Sequence, residues 1–184
     1  MTATLPALLT ATEFAKLPDP PDGSRDELVR GQVVIVGAIP TARHGRTCAK
    51  VNRVLGKYEE AAKLGRVVMR SGVILRRNPD TVRGPDLSYF SFDRLPTIPD
   101  DYMEVPPELV VEVLEKNETP PSVVERVRDF LDFGVPLIWL VDPEARIVTV
   151  YAGSMRGTEY DEADTLDGGT VLPGFSCLVA DLVQ

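Results

Sequence analysis

Two nearly continuous apolar runs, ELVVEVLE (108–115) and VPLIWLVD (135–142), constrain the fold more than any other feature of the chain. Runs of that length and composition suit strands buried on both faces, which a sheet provides only when other elements cover it on each side. The segment between them has a helical period. Val123, Val127, Phe130 and Leu131 draw one stripe over about Pro121 to Phe133, with Gly134 as the stop and Pro143 closing the second run. Strands linked through a helix favour a mixed α/β sheet with helices on its faces.

The remaining segments fit that plan. Thr10 and Glu13 have the spacing of a capping box that starts a short helix, and Pro18, Pro20, Pro21 and Gly23 separate that helix from the first strands. Residues 27–37 (ELVRGQVVIVG) read as two short strands turning at Arg30-Gly31. A long helix is expected through His44, Cys48, Val51, Leu55 and Tyr58, with Gly65 as its C-terminal cap. RVVMRSGVILRR (66–77) alternates as a pair of strands, and PDLSYFSF (85–92) is a further one. The tail, with IVTVY, MRGTEY and TVLPGF, reads as short strands and glycine turns, a small C-terminal β extension. The 184 residues contain neither a repeat nor a low-complexity stretch, so residues 1–184 are expected to form one domain.

Charge and cysteine usage narrow the function classes. A formal net charge of −8 argues against a protein that coats nucleic acid non-specifically, because phosphate contacts need a basic surface. It is compatible with a site that gathers carboxylates around a divalent metal. Cys48 and Cys177 lie far apart without metal-ligand spacing and read as reduced thiols. No apolar run approaches the roughly 18 residues of a membrane helix. The N-terminal stretch has no basic residue before its apolar part, so no signal peptide is expected and the cytoplasm is the expected location.

The informative departures from the apolar pattern are acidic. Asp86 comes directly after Pro85 at the start of one strand, and Glu112 sits inside the apolar VVEV. A carboxylate in such a run is costly to bury unless it is paired or bound to a cation. An acid at a strand end also serves to cap backbone groups or to pair with arginine. Two of them in consecutive strands can instead converge from one side of a sheet, and oxygen pairs of that kind hold Mg²⁺ or Mn²⁺.

These pieces resemble the PD-(D/E)XK nuclease superfamily. More closely they resemble the bacterial family described as "putative restriction endonucleases". The resemblance is carried in order by DELVRGQVV (26–34), His44-Gly45-Arg46, VRGPDLSYF (82–90), PELVVEVLE (107–115), ERVRDFLDFGVPLIWLVDP (125–143) and LPGF (172–175). It implies a restriction-endonuclease-like mixed β-sheet flanked by helices, and DNA cleavage assisted by Mg²⁺ or Mn²⁺. Asp86 matches the metal-binding aspartate of the PD half, Glu112 the second metal ligand, and Glu27 a further acid near the site. His44 matches the histidine at the start of the long helix, a group that orients the phosphate or the attacking water. The chain departs from the motif at one position. Leu114 stands where the lysine belongs, and the substitute cations are Lys116 and Arg126. Arginine stabilises developing negative charge but remains protonated, so it cannot act as a base.

Arg43, Arg46, Lys50, Arg53 and Lys57 repeat at helical spacing on another face of the long helix. This stripe is either a solvated face or a contact for the DNA backbone. Three functions are compatible with these features: a metal-dependent endonuclease, a nuclease-fold module that binds DNA or a partner protein without cleavage, and a scaffold whose acids serve ion pairs alone. A homodimer suits the first, since many nucleases pair to cut both strands.

Overall fold

A computed structural model of the protein describes residues 7–37, 39–116 and 118–184. The first six residues, part of the N-terminal stretch that argues against a signal peptide, lie outside them. The elements run in the order α1 (Ala11–Phe14), β1 (Arg25–Val29), β2 (Gln32–Gly37), α2 (Ala42–Ala62), β3 (Gly65–Met69), β4 (Val73–Arg76), β5 (Thr81–Arg83) and β6 (Leu87–Ser91). Then come β7 (Leu109–Val113), α3 (Pro120–Phe133), β8 (Leu137–Asp142), β9 (Ile147–Ala152), β10 (Gly157–Asp161), β11 (Thr165–Asp167), β12 (Ser176–Leu178) and α4 (Ala180–Val183).

The central layer is a six-stranded mixed sheet in the order β10-β9-β8-β7-β6-β3. Only β7 and β8 are parallel, and α3 links them, as the two apolar runs predict. All five residues of β7 are buried. Strand alternation divides them between two cores. Leu109, Val111 and Val113 pack with Cys48, Val51 and Leu55 of α2, while Val110 packs with Val127 and Phe130 of α3. Trp139 belongs to the α2 side, fully buried against Phe175, and is core as its run suggests.

A second sheet, β2-β1-β5-β4, is antiparallel throughout. It places Val73 and Leu75 over the α3-side core. The β1–β2 turn is at Arg30-Gly31, both at positive φ (51° and 77°). Any side chain on Gly31 would also meet Leu8, with a built Cβ at 2.7 Å. Both halves of the Thr10–Glu13 capping box are present.

Several local expectations change. The long helix ends at Ala62 with Lys63 in the left-handed conformation, not at Gly65. Gly65 instead opens β3, where a Cβ would lie 2.3 Å from the Phe90 carbonyl oxygen. The strands of 66–77 do not pair with each other, because β3 joins the six-stranded sheet and β4 the other. The short β5 had no signal of its own. In the tail, β9 and β10 extend the central sheet, TVLPGF forms turns between β11 and β12, and α4 closes the described chain. Among the described residues, no helix is long and apolar enough to cross a membrane.

Candidate active site

Residues Leu87 and Val111 pair across β6 and β7, so extending that antiparallel register by one residue sets Asp86 opposite Glu112. Directly opposed residues project to the same side of a sheet. Both carboxylates accordingly reach one cavity of about 370 Å³ between the two sheets. Its far wall is apolar, with Val34, Ile35 and Ile39 from the hairpin side, and its near wall is charged.

Asp86 is 2% exposed and well partnered. Its Oδ2 accepts from the Val113 N–H at 2.9 Å and faces His44 Nε2 at 3.2 Å, while Oδ1 faces Arg25 Nη1 at 3.3 Å. Burial would raise this carboxyl, but the hydrogen bonds from His44 and the Val113 N–H, with the Arg25 charge, hold it below the ordinary carboxylate value.

Glu112, also 2% exposed, is less well served. Its Oε2 lies 3.3 Å from Arg126 Nε. That contact is an ion pair without hydrogen-bond geometry, and among the described residues Arg126 Nε has no hydrogen-bond partner. Burial pushes Glu112 up to about 8, with the neighbouring Asp86 adding to the rise and Arg126 offsetting part of it. Two acids on facing strands are thus driven apart: Asp86 is held low by its partners, whereas the charge of Arg126 offsets only part of the burial of Glu112. A buried carboxylate that opens on a cavity without a hydrogen-bond donor fits a hard cation, and Asp86 lines the same cavity.

His44 enters from α2. Thr41 caps that helix, its side chain accepting from the His44 N–H at 3.3 Å, and the Thr41 N–H donates to Glu115 Oε1 at 2.9 Å. The helix start is thereby tied to the residues just past β7. The hydrogen bond to Asp86 and a contact with the Cys48 thiol raise the imidazole to about 10, against the opposing effect of burial. His44 is an imidazolium at neutral pH, and it is paired.

The other candidate residues divide. Arg126 is 4% exposed, lines the cavity and bridges Glu112 to Glu118, the latter at 2.5 Å. Lys116 is exposed past the end of β7 and is not among the residues that line the cavity. Leu114, at the motif lysine position, donates its backbone N–H to the Val141 carbonyl. Glu27 is buried beside the site without lining it. It accepts from Arg83 Nη1 at 2.8 Å and from the Gly84 N–H at 2.9 Å, and Arg83 also holds Asp129 at 2.6 Å.

Two arginines were not foreseen. Arg25 pairs with Asp86, and Arg70 lines the cavity from the turn after β3, its N–H donating to the Asp86 carbonyl at 3.1 Å. The period of β1 puts Arg25 on the face of Glu27, which is the only signal for it in the sequence. Four of the five stripe residues on α2 are exposed and Lys50 is half-buried. Arg43 faces Glu144 at 3.9 Å.

The sequence profile of the Uma2 family, described as "Putative restriction endonuclease", matches residues 11–182. The fold is similar to that of a crystal structure described as a "putative nuclease belonging to DUF820" from Anabaena variabilis ATCC 29413. The TM-score is 0.80 at 19% identity, over 95% of this chain and 97% of that one. At that identity the likeness is one of fold. No curated protein matches the sequence.

Proposed function

The chain belongs to the Uma2 family, described as "Putative restriction endonuclease", and from that premise we propose that it is a divalent-cation-dependent endonuclease hydrolysing DNA phosphodiester bonds. One observation carries the reading. Asp86 and Glu112 face one cavity from paired strands, and the charge of Arg126 offsets only part of the burial of Glu112. These two side chains would hold Mg²⁺ or Mn²⁺. Such an ion supplies a more acidic water and neutralises the scissile phosphate.

The chain's own residues account for the rest. Arg126 stands over Glu112 and stabilises charge that develops on the phosphate oxygens. Arg25 and Arg70 bring two more guanidinium groups to the same cavity, suited to gripping a phosphodiester in a planar fork. His44 orients Asp86 through Nε2 and, as an imidazolium, donates rather than accepts. Arginine cannot take a proton from water, so Arg126 would stabilise charge only, and a cation held by Asp86 and Glu112 would be what makes a water more acidic. Glu27 acts through Arg83, fixing β1 against the Gly84 turn that leads to Asp86.

The face of α2 that carries Arg46, Lys50, Arg53 and Lys57 would seat the DNA backbone, although the chain as a whole is acidic. Two copies would serve a double-strand cut.

A second reading has its own observation. With Leu114 at the lysine position and arginines around the acids, the fold would serve as a non-cleaving module that binds DNA or a partner protein. Incubation of supercoiled plasmid with Mn²⁺ or Mg²⁺ separates the two. Ion-dependent nicking by the wild-type chain, lost in Asp86→Ala, is the expected result. Absence of ion-dependent cleavage on supercoiled, linear and single-stranded DNA would overturn the nuclease in favour of the module.

A further inference from the structure

Behind the acidic pair lies a second set of donors, of different chemistry. His44 and Cys48 are one helical turn apart on α2, so both project from the same face. Asp86 approaches from the strand end. Cys48 and His44 are each 8% exposed and Asp86 is 2% exposed. One ligand atom from each of the three can be chosen so that all lie within 4.8 Å of one another. Cys48 Sγ is 3.5 Å from His44 Nδ1 and 4.0 Å from Nε2, and Nε2 is 3.2 Å from Asp86 Oδ2.

We propose that His44 Nε2, Cys48 Sγ and Asp86 Oδ2 form a binding site for a thiophilic divalent cation of the zinc class. Tetrahedral zinc, with bonds of about 2.0–2.1 Å to nitrogen, about 2.0–2.2 Å to oxygen and about 2.3 Å to sulfur, needs edges of about 3.4 Å between N and O and about 3.6 Å between N and S. The first is present at 3.2 Å, and the second requires a small rotation of the imidazole from 4.0 Å. Magnesium, which selects oxygen donors, gains nothing from the thiol, whereas borderline-soft ions do.

The exchange leaves few groups unpaired. The ion replaces the proton held between Nε2 and Oδ2, and that proton and the thiol proton leave to solvent. Oδ2 keeps its hydrogen bond from the Val113 N–H, and Oδ1 keeps Arg25. His44 and Asp86 line the cavity and Cys48 does not, so the fourth position faces the cavity and takes a water. The site claims Asp86, the same carboxylate that the nuclease reading gives to Mg²⁺ or Mn²⁺, but its existence does not rest on that reading. A chain that never cleaves DNA would still bind zinc here.

Titration of the reduced, metal-free full chain with Co²⁺, the optical stand-in for Zn²⁺, tests the site without any activity. The wild-type chain and Cys177→Ser are expected to bind one ion, with a thiolate-to-cobalt charge-transfer band in the near ultraviolet and visible bands of tetrahedral intensity. Cys48→Ser is expected to lose the charge-transfer band and to bind more weakly by at least the roughly 10–100-fold lost when only a hydrogen-bond partner of a metal ligand is removed. Absence of the band in wild type, or its persistence in Cys48→Ser, would overturn the proposal. Zinc-edge X-ray absorption on the wild-type chain needs no variant to fold. One sulfur neighbour near 2.3 Å supports the site, and a shell of nitrogen and oxygen alone overturns it.

Discussion

Arg126 Nε lies 3.3 Å from Glu112 Oε2, with both side chains almost fully enclosed, 4% and 2% exposed. Breaking a buried pair by removing one partner typically costs about 3–5 kcal/mol, because the remaining charge is stranded, while replacing both partners by neutral groups of similar volume is often harmless. Arg126→Ala should therefore destabilise the protein by about 3–5 kcal/mol in urea unfolding at pH 9, above the value of about 8 at which Glu112 ionises. Glu112→Gln with Arg126→Met should recover most of that loss. Equal destabilisation of the single and double variants would mean that Arg126 acts through packing and through Glu118, not through Glu112.

The same pair sets a pH dependence whose sign differs for folding and for metal. Burial raises Glu112 from an ordinary 4.5 to about 8, so between those values the folded state binds more protons than the unfolded state. The contribution of this group to stability is fully present below pH 4.5 and is lost as pH rises through about 8. Urea unfolding with chelator at pH 5 and pH 9 should show a decline in wild type that Glu112→Gln lacks, on the order of a few kcal/mol. Mn²⁺ affinity, which needs the ionised carboxylate, should rise over the same window and level off above it. Calorimetry in buffers of different ionisation enthalpy would register the released proton, and a flat affinity from pH 6 to 9 would remove Glu112 from the ligand set.

His44 is the only histidine in the chain, so its ring signals need no assignment. Its hydrogen bond to Asp86 raises it from 6.5 to about 10. Its stabilising contribution is complete below pH 6.5 and is lost as pH rises through about 10. An NMR titration of the imidazole carbons should leave the ring protonated across neutral pH, with the midpoint near 10. In Asp86→Asn the midpoint should fall back towards 6.5. A wild-type midpoint near the ordinary value would show that the Asp86 contact is too weak to hold the proton.

What the sequence made legible was what neighbours along the chain decide. The α2 stripe from His44 to Leu55, the Arg30-Gly31 turn and the enclosed β7 all rest on local periodicity or local turn chemistry, and all three are present. The opposition of Asp86 and Glu112 was readable from two apolar strands each carrying one acid. Arg25 was hidden because it comes from the other sheet, and no local pattern encodes packing between sheets. Gly65 was misread because a left-handed cap accepts Lys63, whereas close approach to Phe90 accepts only glycine. TVLPGF has strand composition, but Gly168 accepts from the Leu172 N–H and folds the segment into turns. Lys116 satisfies the strand period on paper, yet β7 ends at Val113 and the alternation no longer applies beyond it.

The basic face of α2 offers a test independent of the acids. Arg46 and Arg53 are exposed, and half-buried Lys50 lies between them, its ammonium made harder to keep protonated first by burial and then by the two neighbouring charges, so three cations share one stretch of helix in a chain of net charge −8. An anion laid along them relieves that repulsion. Each phosphate contact contributes about 0.9 to the slope of log affinity against log salt for duplex DNA. Arg46→Glu, Lys50→Glu and Arg53→Glu together should flatten the slope by about 2–3 and weaken binding most strongly at low salt. Surface substitutions of this kind usually change stability by no more than about 0.5 kcal/mol each, so the melting temperature should change little. Fluorescence anisotropy with a labelled duplex, repeated from 50 to about 200 mM salt, reads both quantities. An unchanged affinity and slope would make the stripe a solvated helix face and place DNA contact elsewhere on the molecule.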